Sequence, residues 1–328
     1  MIVRAKRRDV LRYGAASILA ALPAPAIAEA WPSKPIRIIC TYPAGGLTDV
    51  FARAYGDYGA QKTGQPVLVE NRTGAAGAIG AEMVKQAAPD GYTLMFTNST
   101  TMVQNKALFK KLPYDPDKDF ALVAWFNTGH LPTIVNKDVP ATNIKEFSAW
   151  AQGRKVSLAT YGIGSFAHVV TETLNRHYGL NMEAVHYRGE SLMWQDVASG
   201  AVQGATGSYA SASSGLQTGA GRPIAVPTME RMKRLPDVPT FYEQGLTEEA
   251  FQIRGWVGCA APAGTPEQIV QKLSDLMVEA GKTERVQKVN DTFAIDEGAR
   301  DRAYFKKVLD EEGPVSIEII RSLNIDPQ

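Results

Sequence analysis

The chain is poor in the groups that metal and redox chemistry require: its 328 residues include two cysteines, Cys40 and Cys259, and four histidines, His130, His168, His177 and His186. None of these forms C-x-x-C, H-E-x-x-H or another paired ligand spacing, so no metal site is expected. The cysteines sit far apart in apolar segments. An oxidising compartment would allow them to pair, although buried free thiols are the commoner state at such positions. Excess charge is also lacking: the formal net charge is +1 and no run of five basic residues occurs. Nucleic acid is therefore not an expected partner. Charged residues make up 21% and hydrophobic residues 45%, the balance of an ordinary folded protein. A chain of this length is expected to hold two domains.

Lys6, Arg7, Arg8 and Arg12 precede an alanine-rich apolar stretch at 13–22, and Ala26-Ile27-Ala28 then matches a small-x-small cleavage pattern. Residues 1–28 read as a secretory signal peptide cleaved near Ala28, because an apolar run this short does not span a bilayer. The arginine pair before Asp9-Val10-Leu11 resembles a twin-arginine leader but lacks the usual preceding serine, so twin-arginine and general secretory export both stay open. Cleavage removes five basic residues and one acidic residue and leaves a net charge of −3.

Downstream, short β-branched runs alternate with helical periodicity. A strand at 36–42 leads through Pro43-Ala44-Gly45-Gly46 into a helix at 50–62. Strands at 67–70 and 92–97 flank a helix at 78–87. Strands at 120–126 and 133–136 precede a helix at 144–152, and 156–161 opens a second βαβ series. After the proline-punctuated 234–240 come a strand at 253–259, an amphipathic helix at 267–281 and closing helices at 302–323. This order predicts an α/β protein of two lobes with parallel sheet covered by helices, the chain crossing near 125–133 and returning near 225–250. No internal repeat is visible.

Three glycine or hydroxyl turns are able to hold an anion. In Ala44-Gly45-Gly46-Leu47-Thr48-Asp49, unpaired helix N–H groups and the positive end of the dipole suit a carboxylate or phosphate. Equally, the glycines make a tight turn and Thr48 or Asp49 caps the helix. Gly162-Ile163-Gly164-Ser165-Phe166-Ala167 fits the dinucleotide fingerprint, with Glu183 nearly twenty residues on, which keeps an exported NAD(P)-dependent oxidoreductase as the alternative. Ser165 beside His168 lacks the G-x-S-x-G context of a hydrolase, and no catalytic residue is assigned. Gly74, Gly77 and Gly80 recur every three residues, as close helix packing would require. Tyr187-Arg188-Gly189 places a fixed cation at a turn, where it can meet a carboxylate or a surface partner.

Six blocks, in order, carry a resemblance. They are 38–49, 69–77, Asp90 to Leu94, Gly162 to Ser165 with His168, Leu235-Pro236-Asp237-Val238-Pro239-Thr240 with Glu243 and Gly245, and Trp256 with Ala261-Pro262-Ala263-Gly264-Thr265-Pro266. Together they resemble the solute-binding receptors of tripartite tricarboxylate transporters, the Bug receptors, over nearly all of the mature chain. The resemblance implies a type II-like periplasmic binding protein: two α/β lobes joined by crossover strands, with a ligand cleft between them. Lobe 1 would take 29–128 and 229–328, and lobe 2 would take 129–228.

The resemblance further implies a monomeric, periplasmic receptor, not an enzyme, that needs no cofactor. It would capture a mono- or dicarboxylate, aromatic ones included, and deliver it to a membrane permease. A ligand sensor for a signalling partner would share every motif. The binding residues so implied are Tyr42, Ala44, Gly45, Gly46, Thr48 and Asp49, then Thr97, Asn98 and Ser99, then Gly162, Gly164, Ser165, Phe166 and His168. Tyr187, Arg188 and Tyr209 complete the set, with Phe166 or Tyr209 against the ligand body. Two stretches depart from the family pattern: Glu190-Ser191-Leu192-Met193-Trp194 is bulky where small residues are usual, and Gly207-Ser208-Tyr209 stands where many relatives place an aspartate.

Overall fold

Alternating strands and helices close into two five-stranded sheets in the computed structural model. It describes residues 31–227, 229–252, 255–323 and 325–327. The expected signal peptide lies outside them, as does Ile253, where a strand was expected to start. Residues 31–33, the described part of an N-terminal unit, form no helix or strand, and 34–328 make up the second unit.

The chain runs through β1 (Ile36–Cys40), α1 (Leu47–Thr63), β2 (Val67–Asn71), α2 (Ala78–Lys85) and β3 (Thr93–Asn98). A π-helical turn (Thr100–Gln104) then leads into α3 (Asn105–Leu108) and β4 (Phe120–Asn127). The second series is β5 (Thr133–Asn136), α4 (Ile144–Ala151), β6 (Ser157–Thr160), α5 (Phe166–Tyr178), β7 (Glu183–His186), α6 (Glu190–Ser199), β8 (Gly204–Thr206), α7 (Tyr209–Gln217) and β9 (Gly221–Ala225). After it come β10 (Trp256–Pro262), α8 (Glu267–Ala280), α9 (Glu284–Phe293) and α10 (Arg302–Ser322).

The sheet orders are β2-β1-β3-β10-β4 and β7-β6-β8-β5-β9. In the first, β1 runs parallel to β2 and β3 while β10 enters antiparallel between β3 and β4. In the second, β6 runs parallel to β7 and β8 while β5 enters antiparallel between β8 and β9. The same topology thus occurs twice without a visible sequence repeat. Each inserted antiparallel strand follows a crossing from the other sheet, so the crossings are structural parts of both lobes. Thr128 Oγ1 donates to the Gly255 carbonyl at 2.5 Å and ties the two crossings together.

The return crossing comes later than the boundary expected at 229. Phe241, Leu246 and Phe251 fill the core of the second sheet with Val135, Phe147 and Leu158. Gln244 clamps them there: it accepts the Ile144 N–H at 2.7 Å and donates to the Ile224 carbonyl at 3.0 Å. Apolar side chains at 241–251 therefore keep that segment with the second sheet.

In the first lobe, Phe51, Tyr55, Phe96 and Phe126 pack ring on ring at 4.4 to 6.4 Å, each at most 2% exposed. Burying such a side chain stabilises by about 1.5–3 kcal/mol and fixes α1 against β3 and β4 beneath the loops above. Cys40 and Cys259 are both buried and free. Both pair with Phe96, from opposite sides of β3, so about two strand spacings separate them and no disulfide can bridge the gap.

Candidate functional site

The first wall of the cleft grows from the carboxyl ends of β1 and β3. No side chain caps the N-terminus of α1, which leaves its first N–H groups facing outward. Asp49 braces the turn instead of facing it: its carboxylate accepts the Gly45 N–H at 2.9 Å, Arg53 Nε at 3.0 Å and Asn71 Nδ2 at 2.8 Å. Burial alone would raise the Asp49 pKa, but these three donors outweigh it and hold the carboxyl below its usual range. Asn71 also donates to the Tyr42 carbonyl at 2.9 Å, so the end of β2 fixes the turn from outside.

Tyr42 is held by its hydroxyl, 3.2 Å from Thr101 Oγ1, and burial pushes its pKa up to about 12. Thr41 and Thr97 join through their hydroxyls at 2.7 Å beneath this layer. The glycine triplet serves close packing, as expected. A Cβ on Gly77 would stand 2.1 Å from Thr101 Oγ1, and one on Gly80 would stand 2.8 Å from the Arg72 carbonyl.

The second wall comes from β6–α5 and β7–α6. Ser165 caps α5, its Oγ accepting the His168 N–H at 3.4 Å, while His168 Nδ1 accepts the Gly164 N–H at 3.1 Å. Both groups accept backbone bonds that shape the turn, and among the described residues no bond runs from the Ser165 hydroxyl to the imidazole. The dinucleotide alternative also loses its acid. Glu183 pairs with Ser157 at the start of β6, so it lies at the opposite edge of the sheet from the turn at 161–165, where it cannot reach a ribose. Tyr187 donates to Asp196 at 2.5 Å and packs under α6, which directs Arg188 and Gly189 outward.

The walls enclose a cavity of about 280 Å³. Of the residues expected to bind, Tyr42, Ala44, Gly46, Thr48, Asn98, Ser99, Phe166 and Arg188 line it. Gly45, Asp49, Thr97, Gly162, Gly164, Ser165, His168 and Tyr187 do not; they shape the turns behind the wall. Tyr209 also lies off the wall, packed beside Val226, Met232 and Val238.

Residues with no signal in the sequence add to the lining, among them Gln104 from the π-helical turn, Leu131 from the first crossing, Tyr161 after β6, Val257 from β10, and Ser316 and Ile319 from α10. The helical spacing of the last two reads only as an ordinary buried face. No described residue pairs with the Arg188 guanidinium, so it is a cation available to a ligand.

A family model described as "Tripartite tricarboxylate transporter family receptor" matches residues 51–325. The chain belongs to this family. It is 30% identical over 270 residues to the protein BugT of Bordetella pertussis, covering 81% of this chain and 82% of that one. It is similar to a solved structure described as R. palustris Rpa4515 with adipate, at 25% identity and TM-score 0.84, covering 91% of this chain and all of that one. It is also similar to MatC (Rpa3494) from Rhodopseudomonas palustris with bound malate, at 30% identity and TM-score 0.78, covering 88% and 100%. The family consists of solute-binding receptors, and the two-lobe α/β fold is theirs. Among the described residues no helix is long and apolar enough to cross a membrane.

Behind the wall, His168 is 6% exposed and packs edge-on against His186 with ring centroids 4.6 Å apart. Burial, and secondarily His186, lowers its pKa from 6.5 to about 4. Between those two values the unfolded chain binds the proton and the folded one does not, so stability falls as pH drops from 6.5 towards 4. We expect urea unfolding of His168→Gln to show a shallower loss over that window than the parent; parallel curves would remove His168 as the cause.

Proposed function

We propose that the protein is a periplasmic receptor that encloses a small carboxylate between its lobes and delivers it to the permease of a tripartite tricarboxylate-type transporter. The observation that carries this reading is the cavity itself. Loop backbone and hydroxyl groups from the first lobe share the cavity wall with an arginine from the second that pairs with no described residue. Tyr42, Ala44, Gly46, Thr48, Asn98 and Ser99 take the ligand from one side, Phe166 and Arg188 from the other. The relatives described with adipate and malate support the ligand class. Removal of residues 1–28 on export accounts for the compartment, and closure about the two crossings is the expected motion.

The test is thermal unfolding of protein stripped of ligand by denaturation and refolding, against aliphatic and aromatic carboxylates, NAD and NADP. A ligand at a hundredfold excess over its dissociation constant adds about 2.7 kcal/mol, which raises the midpoint by several degrees. A shift with a carboxylate and none with either dinucleotide is expected. A shift with NAD or NADP alone overturns the reading.

A further inference from the structure

α10 is a helix in two parts. Its first part belongs to the core of the first lobe, where Phe305 and Val308 are buried and Phe305 meets Trp256 edge-on, ring centroids 5.0 Å apart. Pro314 then interrupts the helix ladder, because it has no N–H to offer the Asp310 carbonyl. Beyond it, Ser316, Ile319 and Ile320 line the cavity. A segment past such a break takes its position from what holds it on either side. On the first-lobe side α10 packs on the π-helical turn and α3, and Ile320 joins Leu108 of α3 in one buried cluster.

The second lobe holds the same end of the helix. Val169 of α5 and Ala250 belong to the Ile320 cluster, so that cluster has members from both lobes. Two turns beyond Val169 on α5, Arg176 Nη2 donates to the Ser322 carbonyl at 2.5 Å and Nη1 donates to Ser322 Oγ at 3.4 Å. The Ser322 hydroxyl donates in turn to the carbonyl of the cavity-lining Ile319 at 2.7 Å. The guanidinium thus meets the negative end of the α10 dipole and a carbonyl that a helix end leaves unpaired. Together with the two crossings this makes a third link between the lobes, and a non-covalent one. Opening has to break the clasp or pull the last turns of α10 off their seat on the first lobe.

We infer that Arg176 is a positioning residue for ligand capture: it clasps the last turn of α10 from the second lobe, holds Ser316 and Ile319 in the cavity wall and so keeps the lobes closed on the enclosed carboxylate. This deepens the receptor reading and rests on it. Arg176 acts through α10 and slows release; it is not among the residues that line the cavity.

Calorimetric titration of the refolded protein with adipate, malate, benzoate and 4-hydroxybenzoate selects the tightest as the probe; if all four fail, the carboxylate with the largest midpoint shift in the wider panel takes that place. Stopped-flow tryptophan fluorescence, with Trp256 on the cavity wall as a reporter, then follows binding and release. In Arg176→Ala the probe should leave at least about fivefold faster, while its association rate stays within about twofold or rises. The midpoint of the ligand-free protein should stay within about 2 °C of the parent's, because Arg176 is an exposed side chain. Arg176→Lys still places a donor and a positive charge at the helix end, so its release rate should lie within about threefold of the parent's. Release from Arg176→Ala at the parent's rate overturns the inference. So does slower association together with a lowered ligand-free midpoint, which is the signature of a purely structural role. Either result leaves the carboxylate reading intact, whereas no shift from any carboxylate ends both.

Discussion

Arg188→Ala should weaken binding of the carboxylate ligand about ten- to hundredfold. A hydrogen bond between charged partners contributes about 1.5–3 kcal/mol, and Arg188 has no partner among the described residues to compete for it. Its exposed position allows solvent to screen the interaction, which favours the lower end of that range. Arg188→Lys keeps the charge but loses the planar fork, so its affinity should fall between the other two. Titrations at rising salt give the second readout: the parent should lose affinity as ionic strength increases, and the alanine variant should lose less. Equal affinity in parent and Arg188→Ala would remove the arginine from the site and leave backbone and hydroxyl groups as the whole anchor.

Gly164→Ala should be strongly damaging, because the added carbon falls between the two lobes. Gly164 has φ +71°, where an alanine is strained, and a Cβ there would lie 2.2 Å from Leu108 Cδ1. Leu108 belongs to the first lobe and is 2% exposed, so it has little room to yield. Overpacking costs about 1–3 kcal/mol and the left-handed backbone about 1–2 kcal/mol more. This is the close approach that brings Tyr161 and Phe166 to the cavity, so the added carbon should hold the lobes apart and reduce affinity by at least about tenfold. Adding Leu108→Ala makes space for the new methyl group and should restore part of the lost affinity, relative to Leu108→Ala alone. The strain at φ +71° stays. No recovery in the double variant would mean that lobe contact at Leu108 is not the cause.

The elements missed in the sequence share a physical origin. β8 (Gly204–Thr206) and α7 (Tyr209–Gln217) lie in a Gly-, Ala- and Ser-rich stretch whose own propensities favour neither state. They form because β8 pairs with both β5 and β6, the first of which is about 70 residues away in the chain. The lobe boundary moved for a similar reason. Proline-rich 234–240 marks an irregular passage, yet the side chains that decide which lobe owns 241–251 are Phe241, Leu246 and Phe251, and their partners lie in the second sheet.

By itself, the sequence determined the alternating α/β order, the strand-to-helix turns and the membership of a receptor family, because these depend on side-chain period, glycine and local hydrogen-bonding capacity. Only the tertiary structure decided which polar groups at those turns remain free. Asp49, Ser165 and His168 are used by neighbouring backbone N–H groups, and Tyr187 is used by Asp196. Arg188 and Gln104 keep unspent capacity at the cavity wall. A local pattern records what a side chain is able to bond. Whether it bonds the protein or a ligand depends on groups such as Asn71, Leu108 and Ser316, which arrive from distant parts of the chain.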